Sequence, residues 1–270
     1  MIELEYNKIS NRVYSELEGH CHSFYEIYYF ISGDARLMVE GKIYNLTPHT
    51  LFLLAPNVYH GIDIVSRADY IRHILYLNPQ DILPERMHLL TEVAPDHKKY
   101  PNANIVYEHT EDFHLEQFYH NMKQLENVSP ELRTSLQPIY AEALLAQINL
   151  LCRTLKPSTF IDRTPEKITD IVNYLNLHLT ETHSLDSIAS HFFISKNYLN
   201  KTFKQYFDKT VIDYIRYKRV ILAKQYIQSG ESAMNAALQA GFSDYSSFYR
   251  SYVKYEGQSP RKDIGKNHSE

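Results

Sequence analysis

The 270-residue chain carries 28 Lys and Arg against 32 Asp and Glu, a net charge of −4, and 44% of its residues are hydrophobic. This length predicts two domains, and the apolar content is that of a globular protein rather than a disordered one. No apolar run approaches the length of a membrane-spanning helix, and no charged-then-apolar leader opens the chain. We therefore expect a cytoplasmic protein with no membrane partner. Two distant cysteines, Cys21 and Cys152, predict no disulfide framework.

The charge is unevenly distributed along the chain. Residues 1–162 carry 13 Lys and Arg and 21 Asp and Glu, a net charge of −8, whereas residues 163–270 carry 15 and 11, a net charge of +4. A basic part joined to an acidic part is typical of a nucleic-acid reader linked to a domain that stays off the polyanion. A chance asymmetry would give the same numbers, so the charge alone does not decide.

The first part, residues 1–105, has the pattern of β-structure. Short runs rich in β-branched and aromatic residues alternate with turn signals such as Gly33-Asp34 and Pro56-Asn57. The predicted strands are residues 26–31, 36–39, 42–46, 50–54 and 70–77. Many short strands at close spacing indicate an all-β sandwich or barrel.

Histidines and a glutamate fall at even-numbered positions in this region. On one extended strand His20, His22 and Glu26 would share a face, here the barrel interior, and His60 could join them from a neighbouring strand. Three histidines and one carboxylate suit Fe, Mn, Ni or Zn. The run His20-x-His22-x-x-x-Glu26 resembles the first cupin motif. The later Pro56-x-x-x-His60 loosely resembles part of the second, with a shorter spacing.

Three interpretations of the β region stay open: a pocket for an organic effector, a metal site, and a barrel filled by its own side chains. We favour the effector pocket over the metal site, and we expect no cofactor. The candidate pocket residues are His22, Glu26, Tyr28, Arg36, Met38, Tyr44 and His60. Arg36 would suit an anionic or sugar-like effector.

Residues 106–160 change to a helical pattern. Ser129 followed by Pro130 predicts an N-cap and a first helical residue. The helix that follows has an apolar seam at i, i+4, i+7 and i+11, formed by Leu144, Ile148, Leu151 and Leu155. This seam could pack on the chain's own barrel, but we favour an interface between the helices of two subunits. Residues 156–159 and 162–165 have the composition of a linker.

The last part, residues 161–270, has the pattern of two helix-turn-helix units on either side of one long helix. The predicted helices cover residues 166–179, 185–191, 196–207, 211–228, 232–240 and 244–255. Ser184, Ser195 and Ser243 are the predicted N-caps of the helices in the two units. Gly241-Phe242 supplies the turn of the second unit, because Gly tolerates positive φ.

Five motifs in residues 184–260 have the order and spacing of the AraC/XylS family of bacterial transcription regulators, which this part of the chain resembles. They are Ser184-Leu185-x-x-Ile188-Ala189, Ser195-x-x-Tyr198-Leu199-x-x-x-Phe203-Lys204, Arg219-Val220-x-x-Ala223, Ala240-Gly241-Phe242-Ser243-Asp244-x-Ser246-x-Phe248 and Gly257-x-Ser259-Pro260. Asp208 stands where the family usually has Gly. The resemblance implies a homodimeric regulator rather than an enzyme. Its candidate partners are double-stranded DNA, a small effector (a sugar is one candidate) and RNA polymerase.

The resemblance also implies which side chains face DNA. The base-reading candidates are Asn197, Asn200 and Lys201 in the first unit and Ser246, Ser247 and Arg250 in the second. The phosphate-contact candidates are Lys196, Lys204, Lys209, Arg216, Lys218, Arg219 and Lys254. Residues 195–262 have a local net charge of +7, and the long helix would place the two recognition helices in successive major grooves.

The sequence thus predicts an α+β fold in three segments. These are an N-terminal cupin-like β-barrel that binds an effector (1–105), a helical dimerisation or linker segment (106–160), and an all-α DNA-binding domain with two helix-turn-helix motifs (161–270). Two rival functions stay open, a metal-sensing regulator and a cupin enzyme. Both would use His20, His22, Glu26 and His60.

Overall fold

The computed structural model describes residues 2–10, 19–78, 81–93, 106–158 and 166–264. The N-terminal part is built on two β-sheets with helices on one side, and the C-terminal part is helical. The predicted α+β fold is therefore confirmed. Most of the predicted linker, residues 159–165, lies outside the described residues. No helix in the described ranges has both the length and the apolar content needed to cross a membrane.

The strands of the N-terminal part are β1 (Ile2–Ile9), β2 (Tyr25–Ser32), β3 (Ala35–Val39), β4 (Lys42–Asn45), β5 (Thr50–Leu54), β6 (His60–Ile64), β7 (Tyr70–Leu77) and β8 (Val106–Tyr107). The five predicted strands match β2, β3, β4, β5 and β7 to within one residue at each end. β1, β6 and β8 are additional. β6 escapes detection because Gly61 and Asp63 are poor strand formers.

All strand pairs are antiparallel and form two sheets. One sheet has the order β1-β7-β2-β5-β8 and the other has the order β4-β3-β6. Tyr28 and Phe52 from the first sheet share a core cluster with Leu37 from the second, so the two sheets face each other. Within the described residues the sheets meet through side chains rather than through strand pairing. The result is a cupin-like double sheet rather than a closed barrel.

The outer face of the five-stranded sheet is covered by helices. Because side chains alternate along a strand, Ile27 and Tyr29 of β2 point away from Tyr28 and pack against this helical layer. The helices are α1 (His88–Thr91), α2 (Leu115–Gln124) and α3 (Pro130–Thr154), with 3₁₀ turns at Pro84–Arg86, Glu111–Phe113 and Leu125–Asn127. Ser129 caps α3 by accepting the Leu132 N–H, as its place before Pro130 predicts.

The seam predicted to hold a dimer is buried within the chain. Leu144, Ile148 and Leu151 are fully buried in the core beneath the five-stranded sheet, and Leu155 packs at its edge. Side chains enclosed by their own chain cannot contact a second copy, so the prediction of a dimer interface is wrong for Leu144, Ile148 and Leu151, and the half-buried Leu155 cannot form an interface alone. The periodicity identified an apolar face of α3 correctly, but it did not show what covers that face.

The C-terminal part contains α4 (Glu166–Leu177), α5 (Leu185–His191), α6 (Lys196–Phe207), α7 (Val211–Gln228), α8 (Ala233–Gln239), α9 (Tyr245–Glu256) and α10 (Arg261–Ile264). The pairs α5–α6 and α8–α9 are the two predicted helix-turn-helix units, and α7 joins them. Ser184 and Ser195 are N-caps as predicted. In the second unit the cap is Asp244 rather than Ser243, since the Asp244 carboxylate accepts the Ser247 N–H at 2.8 Å.

Candidate functional site

The first recognition helix, α6, presents a polar face to solvent. Lys196, Asn197 and Lys201 are exposed, whereas Leu199 and Phe203 are buried in the core. Asn200 is half-buried, and its side-chain oxygen accepts the Val211 N–H at 3.4 Å. Asn197 and Lys201 are therefore more accessible to a base edge than Asn200.

The second recognition helix, α9, presents a sparser polar face. Ser246 and Arg250 are exposed, and Ser247 is half-buried. Arg250 donates a long hydrogen bond of 3.4 Å to the Ser247 hydroxyl, which leaves most of the guanidinium donors available. Phe248 and Tyr252 on the opposite face are buried.

The predicted phosphate contacts divide into two groups. Lys196, Lys204, Arg216 and Lys254 are exposed on the C-terminal helical part. Two of these four are paired with nearby carboxylates, Lys196 with Asp186 at 2.8 Å and Lys254 with Asp213 at 3.3 Å. Exposed ion pairs of this kind are weak and do not prevent exchange to a phosphate.

In this arrangement Arg219 and Lys218 are not available to a phosphate. The Arg219 guanidinium donates to the main-chain carbonyls of Leu179, Glu181 and Gly241, and Lys218 is only 3% exposed. Both side chains are on α7 and are paired with groups of the protein itself. Lys209 is half-buried, with its ammonium over the Tyr59 ring at 5.4 Å, so its access to a phosphate is reduced in this arrangement.

The predicted polar cluster of the β region is assembled. Each of His20, His22, Glu26 and His60 offers a ligand atom, and these atoms lie within 4.8 Å of one another. One Glu26 oxygen lies 2.8 Å from His22 Nε2 and 3.2 Å from His60 Nε2. His20 belongs to the segment before β2, where its main chain forms a bridge with His60. This donor set could hold a transition metal, or it could hydrogen-bond a polar organic ligand.

Burial and pairing set the protonation of this cluster. Burial opposes ionisation of Glu26, but His60 and His22 outweigh it and lower the pKa of the carboxyl well below its usual value. Burial likewise works against a charged His60, yet Glu26 raises the pKa of that imidazole. Burial lowers the pKa of His22. A carboxylate next to His60 is therefore the state we expect near neutral pH.

The other predicted pocket residues fall into two groups. Tyr28 lies between the sheets and bonds the Tyr70 hydroxyl at 2.6 Å, and Tyr44 packs edge-on against Phe52. Arg36 and Met38 lie on the opposite face of β3 from Leu37, because side chains alternate along a strand. Since Arg36 and Met38 point away from the space between the sheets, the prediction of a single pocket is wrong for these two.

The contacts of those two residues explain their orientation. Arg36 donates from Nε to the Asp63 carboxylate at 3.0 Å, across the β3–β6 pair. Met38 belongs to the hydrophobic core of the helical domain. Of the predicted pocket residues, His22, Glu26 and His60 come together in one cluster, with His20 at its exposed edge.

A groove of about 510 Å³ lies on the outer side of the five-stranded sheet, where the sequence predicted nothing. It is lined by Tyr29, His49, Glu111, His114, Glu116 and Gln117. The Tyr29 hydroxyl lies 2.9 Å from His49 Nδ1, and the same ring nitrogen lies 3.4 Å from the Glu116 carboxylate. Four of these residues lie close together between Glu111 and Gln117, but Tyr29 on β2 and the loop residue His49 are distant in sequence, so local spacing could not have grouped all six.

A buried ion pair joins the two parts of the chain. Glu40, in the turn between β3 and β4, accepts hydrogen bonds from Lys218 at 2.6 Å, Tyr214 at 2.7 Å and the Tyr59 N–H at 2.9 Å. Lys218 also donates to Asn176 at 2.7 Å. Burial opposes ionisation of Glu40, but Lys218 and these hydrogen bonds lower the pKa of its carboxyl.

Further hydrogen bonds join the N-terminal and C-terminal parts next to this ion pair, and together they form the domain contact. The Tyr59 hydroxyl donates to the Phe207 carbonyl at 2.9 Å, and the Tyr217 hydroxyl bonds the main chain of Cys21 at 3.1 Å. Ser23 donates to Gln228 at 2.6 Å. Cys21, Met38 and Tyr59 belong to the core of the helical domain, so one hydrophobic core continues from one part of the chain into the other.

Comparison with protein families gives two matches, one in each part of the chain. A model described as "Helix-turn-helix domain" matches residues 188–263, and one described as "AraC-like ligand binding domain" matches residues 10–86. The first range contains both recognition helices. The second contains the polar cluster and most of the double sheet.

Several curated proteins are similar over most of the chain. The uncharacterized HTH-type transcriptional regulator YbfI of Bacillus subtilis is 22% identical and covers 87% of this chain and 82% of its own. The HTH-type transcriptional activator RhaS of Escherichia fergusonii is 24% identical and covers 90% and 86%. AdaA of Bacillus subtilis, a bifunctional transcriptional activator and DNA repair enzyme, is 29% identical over 41% of this chain and 53% of its own.

Solved structures also match. ToxT from Vibrio cholerae is 12% identical over 98% of this chain and 98% of its own, with a TM-score of 0.40. A protein from Listeria innocua is 27% identical over 39% of this chain and 100% of its own, with a TM-score of 0.36.

Proposed function

Because the chain belongs to the AraC-type transcription regulators, with a DNA-binding helix-turn-helix domain and an N-terminal ligand-binding domain, we propose a specific division of labour within it. The exposed faces of α6 and α9 read bases in two successive major grooves. An effector at the cluster of His20, His22, Glu26 and His60 controls that reading.

The proposal for DNA rests on one observation. α6 and α9 each present a polar face to solvent, and α7 joins the two units to which they belong. Asn197 and Lys201 on α6, and Arg250 on α9, are exposed side chains with the donors and acceptors that base edges require. Lys196, Lys204, Arg216 and Lys254 would contact phosphates around them. The regulator would act in the cytoplasm, where bacterial DNA lies, and RNA polymerase is its proposed partner there.

The effector proposal rests on the graded exposure of the cluster. Glu26 and His60 are buried, His22 is half-buried and His20 is exposed, so the cluster is open to solvent at one end only. An ionised carboxylate accepts hydrogen bonds, and a neutral imidazole both donates and accepts them. A polyhydroxylated ligand such as a sugar fits this set, because a hydroxyl can donate to a carboxylate or an imidazole nitrogen and accept from an imidazole N–H. The comparisons do not favour a metal sensor, and the regulators among the relatives argue against an enzyme.

One experiment tests both halves of this proposal. Selection from randomised DNA with the full-length chain should yield a site with two sequence-specific segments about one helical turn apart. A set of sugars is then screened for a change in affinity for that site. His22→Ala should abolish the response and leave unliganded binding within about twofold, whereas His49→Ala in the outer groove should leave the response intact. A response lost only in His49→Ala would move the effector to the groove.

We also propose that α3 forms the homodimer, but through the face opposite the predicted one. Its solvent-facing side carries an apolar stripe, which consists of Leu132, Leu136, Ile139, Ala143, Ala146 and Leu150. The spacings alternate between four and three residues, the heptad pattern of a helix seam. A helix that is apolar on both sides is normally buried on both sides. A second copy can supply the cover, since a twofold axis sets the stripe against itself.

Two leucines of equal exposure test the dimer. Leu150 lies in the stripe and Leu238 lies on α8, and each is 55% exposed. Leu150→Glu would place charges in the proposed interface, so it should give monomers in light scattering at micromolar concentration. Leu238→Glu should leave the mass unchanged. A wild-type chain that is already monomeric at this concentration, or a Leu150→Glu chain that stays dimeric, would contradict the proposal.

A further inference from the structure

The turn between β3 and β4 has an unusual residue at its tip. Glu40 and Gly41 both have positive φ, 49° and 83°, the geometry of a tight hairpin turn in which Asn, Asp or Gly is usual. A Cβ added to Gly41 would lie 3.0 Å from the Phe207 ring, so the turn approaches the helical domain closely. Glu in this strained place is explained by what its carboxylate reaches, namely Lys218 of α7.

The Glu40–Lys218 pair is closed to water, and both groups are hydrogen-bonded on several sides. Both Glu40 oxygens accept, one from Lys218 and the Tyr59 N–H and the other from Tyr214. Breaking such a pair by removing one partner leaves a buried charge, whereas separating the two domains returns both charges to water. The domain contact therefore opens as a unit, and a missing partner favours the open state.

The closed contact also removes two cations from the basic region. Lys218 is held by Glu40 and Asn176, and the half-buried Lys209 lies over the rings of Tyr59 and Tyr217 at 5.4 and 5.2 Å. The same contact holds the end of the first recognition helix, because Tyr59 donates to the carbonyl of Phe207, the last residue of α6. Opening would return both lysines to a surface whose affinity for DNA depends on counterion release.

We propose that Glu40 and Lys218 form an autoinhibitory latch between the ligand-binding and DNA-binding domains. Closed, the latch fixes α6 and α7 against the β-sheets and withholds Lys209 and Lys218 from DNA. Open, it frees both lysines and the end of α6, and the affinity for DNA rises.

The latch lies next to the polar cluster. Side chains alternate along the two paired segments, so His20, His22 and His60 face the cluster while Cys21, Ser23 and Tyr59 face the helical domain. A ligand that shifts this pair of segments would shift the latch contacts with it. This link from cluster to latch rests on the proposed effector site, whereas the latch itself rests only on the domain contact.

The test uses the full-length chain, its selected DNA site and no effector, so a failed effector proposal does not affect it. Glu40→Gln should leave Lys218 without its counter-charge, open the latch and tighten DNA binding roughly tenfold. The slope of log affinity against log salt should steepen by up to about 1.8, since each added phosphate contact contributes about 0.9. Lys218→Met should also open the latch but steepen the slope by only about half as much, because it frees one lysine instead of two.

Hydrogen exchange provides a readout of opening that is independent of DNA. The amides of Tyr59 and Cys21, which donate to Glu40 and to the Tyr217 hydroxyl, should exchange faster in Glu40→Gln. Glu5→Gln is the control, since Glu5 of β1 pairs with Arg72 of β7 within the five-stranded sheet and should change neither measurement. If Glu40→Gln does not fold, Tyr59→Phe should give a smaller change of the same sign. Unchanged exchange, or faster exchange with unchanged or weaker DNA binding, would overturn the latch.

Discussion

The turns of the two helix-turn-helix units have the same backbone but different residues. In the first, Phe193 and Ile194 donate to carbonyls three and five residues back, and in the second Gly241 and Phe242 do the same. The residue at the corner is left-handed in both, with φ of 53° at Phe193 and 90° at Gly241. The same hydrogen-bonding pattern is thus formed with Phe193 at the corner of one unit and with Gly241, which has no side chain, at the corner of the other.

The surroundings explain the difference. A Cβ on Gly241 would lie 2.5 Å from the carbonyl oxygen of Thr180, whereas Phe193 is 92% exposed. The second turn is packed against the segment that follows α4, so only Gly fits there. The first turn faces solvent, where any residue fits at the cost of a left-handed backbone. The packing around each corner, rather than the backbone conformation of the turn, therefore determines which residues are tolerated there.

The largest expected effect comes from filling the packed corner. Gly241→Ala should lower the free energy of unfolding by about 2–4 kcal/mol, because a backbone clash adds to the left-handed strain. Gly257→Ala is the matched control, since Gly257 has φ of 67° and nothing within 4 Å of its added Cβ. It should lose only about 1 kcal/mol. Equal losses in denaturant unfolding would show that the Thr180 contact has no part in the effect.

Arg219 links the turn at Gly241 to the segment after α4, and its replacement should have the second-largest effect on stability. Its guanidinium donates to Gly241 and to two carbonyls after α4, so Arg219→Met should cost about 1.5–3 kcal/mol of unfolding free energy. Arg216→Met, at an exposed position on the same helix, should change stability by less than about 0.5 kcal/mol. It should instead lower the salt dependence of DNA binding. The two variants together separate a structural arginine from a proposed phosphate contact.

The two recognition helices, α6 and α9, should each read bases in one half of the DNA site. Arg250→Ala should cost about 1–3 kcal/mol of binding free energy and relax one or two base positions in one half of the site. Asn197→Ala should do the same in the other half. Asn200→Ala should relax the sequence less, because its side chain already accepts the Val211 N–H. Selection from randomised DNA measures all three. A uniform loss over every sequence in Arg250→Ala would make Arg250 a phosphate contact and leave α9 without a strong base reader.

Local patterns predicted the elements well, because capping, turn chemistry and periodicity act within a few residues. They gave five strands, the helices of both units, and the caps at Ser184 and Ser195. The cluster of His20, His22, Glu26 and His60 was also predicted and is assembled. The predicted reason was wrong, because only Glu26 lies on β2 while His20 and His22 precede that strand. Periodicity could not predict which structure packs against an apolar helix face. α3 has two apolar faces, and the spacing could not tell which one the chain buries.

Contacts between distant residues were not predictable from the sequence in the same way. Glu40 and Lys218 lie 178 positions apart, and neither belongs to a motif that suggests the other. Lys218 and Arg219 looked like ordinary cations of a basic surface, because charge counts do not record which side chains are enclosed. The one local signal was Glu40 beside Gly41 between two strands, since Glu is a poor residue for a tight hairpin turn.

The smallest effect is expected at the exposed corner, and its sign is the reverse of that at Gly241. Phe193→Gly should raise the free energy of unfolding by about 0.5–1 kcal/mol, because Gly removes the left-handed strain and the exposed ring has little packing to lose. The gain is limited by the larger entropy that Gly gives the unfolded chain. Phe193→Ala keeps a Cβ, so it should give no such gain in denaturant unfolding. If Ala stabilises as much as Gly, exposure of the ring is the cause and the backbone is not. If both variants also weaken DNA binding, the ring contacts DNA beside the N-cap of α6, and that contact would explain why a strained, exposed Phe stands where the second unit has Gly.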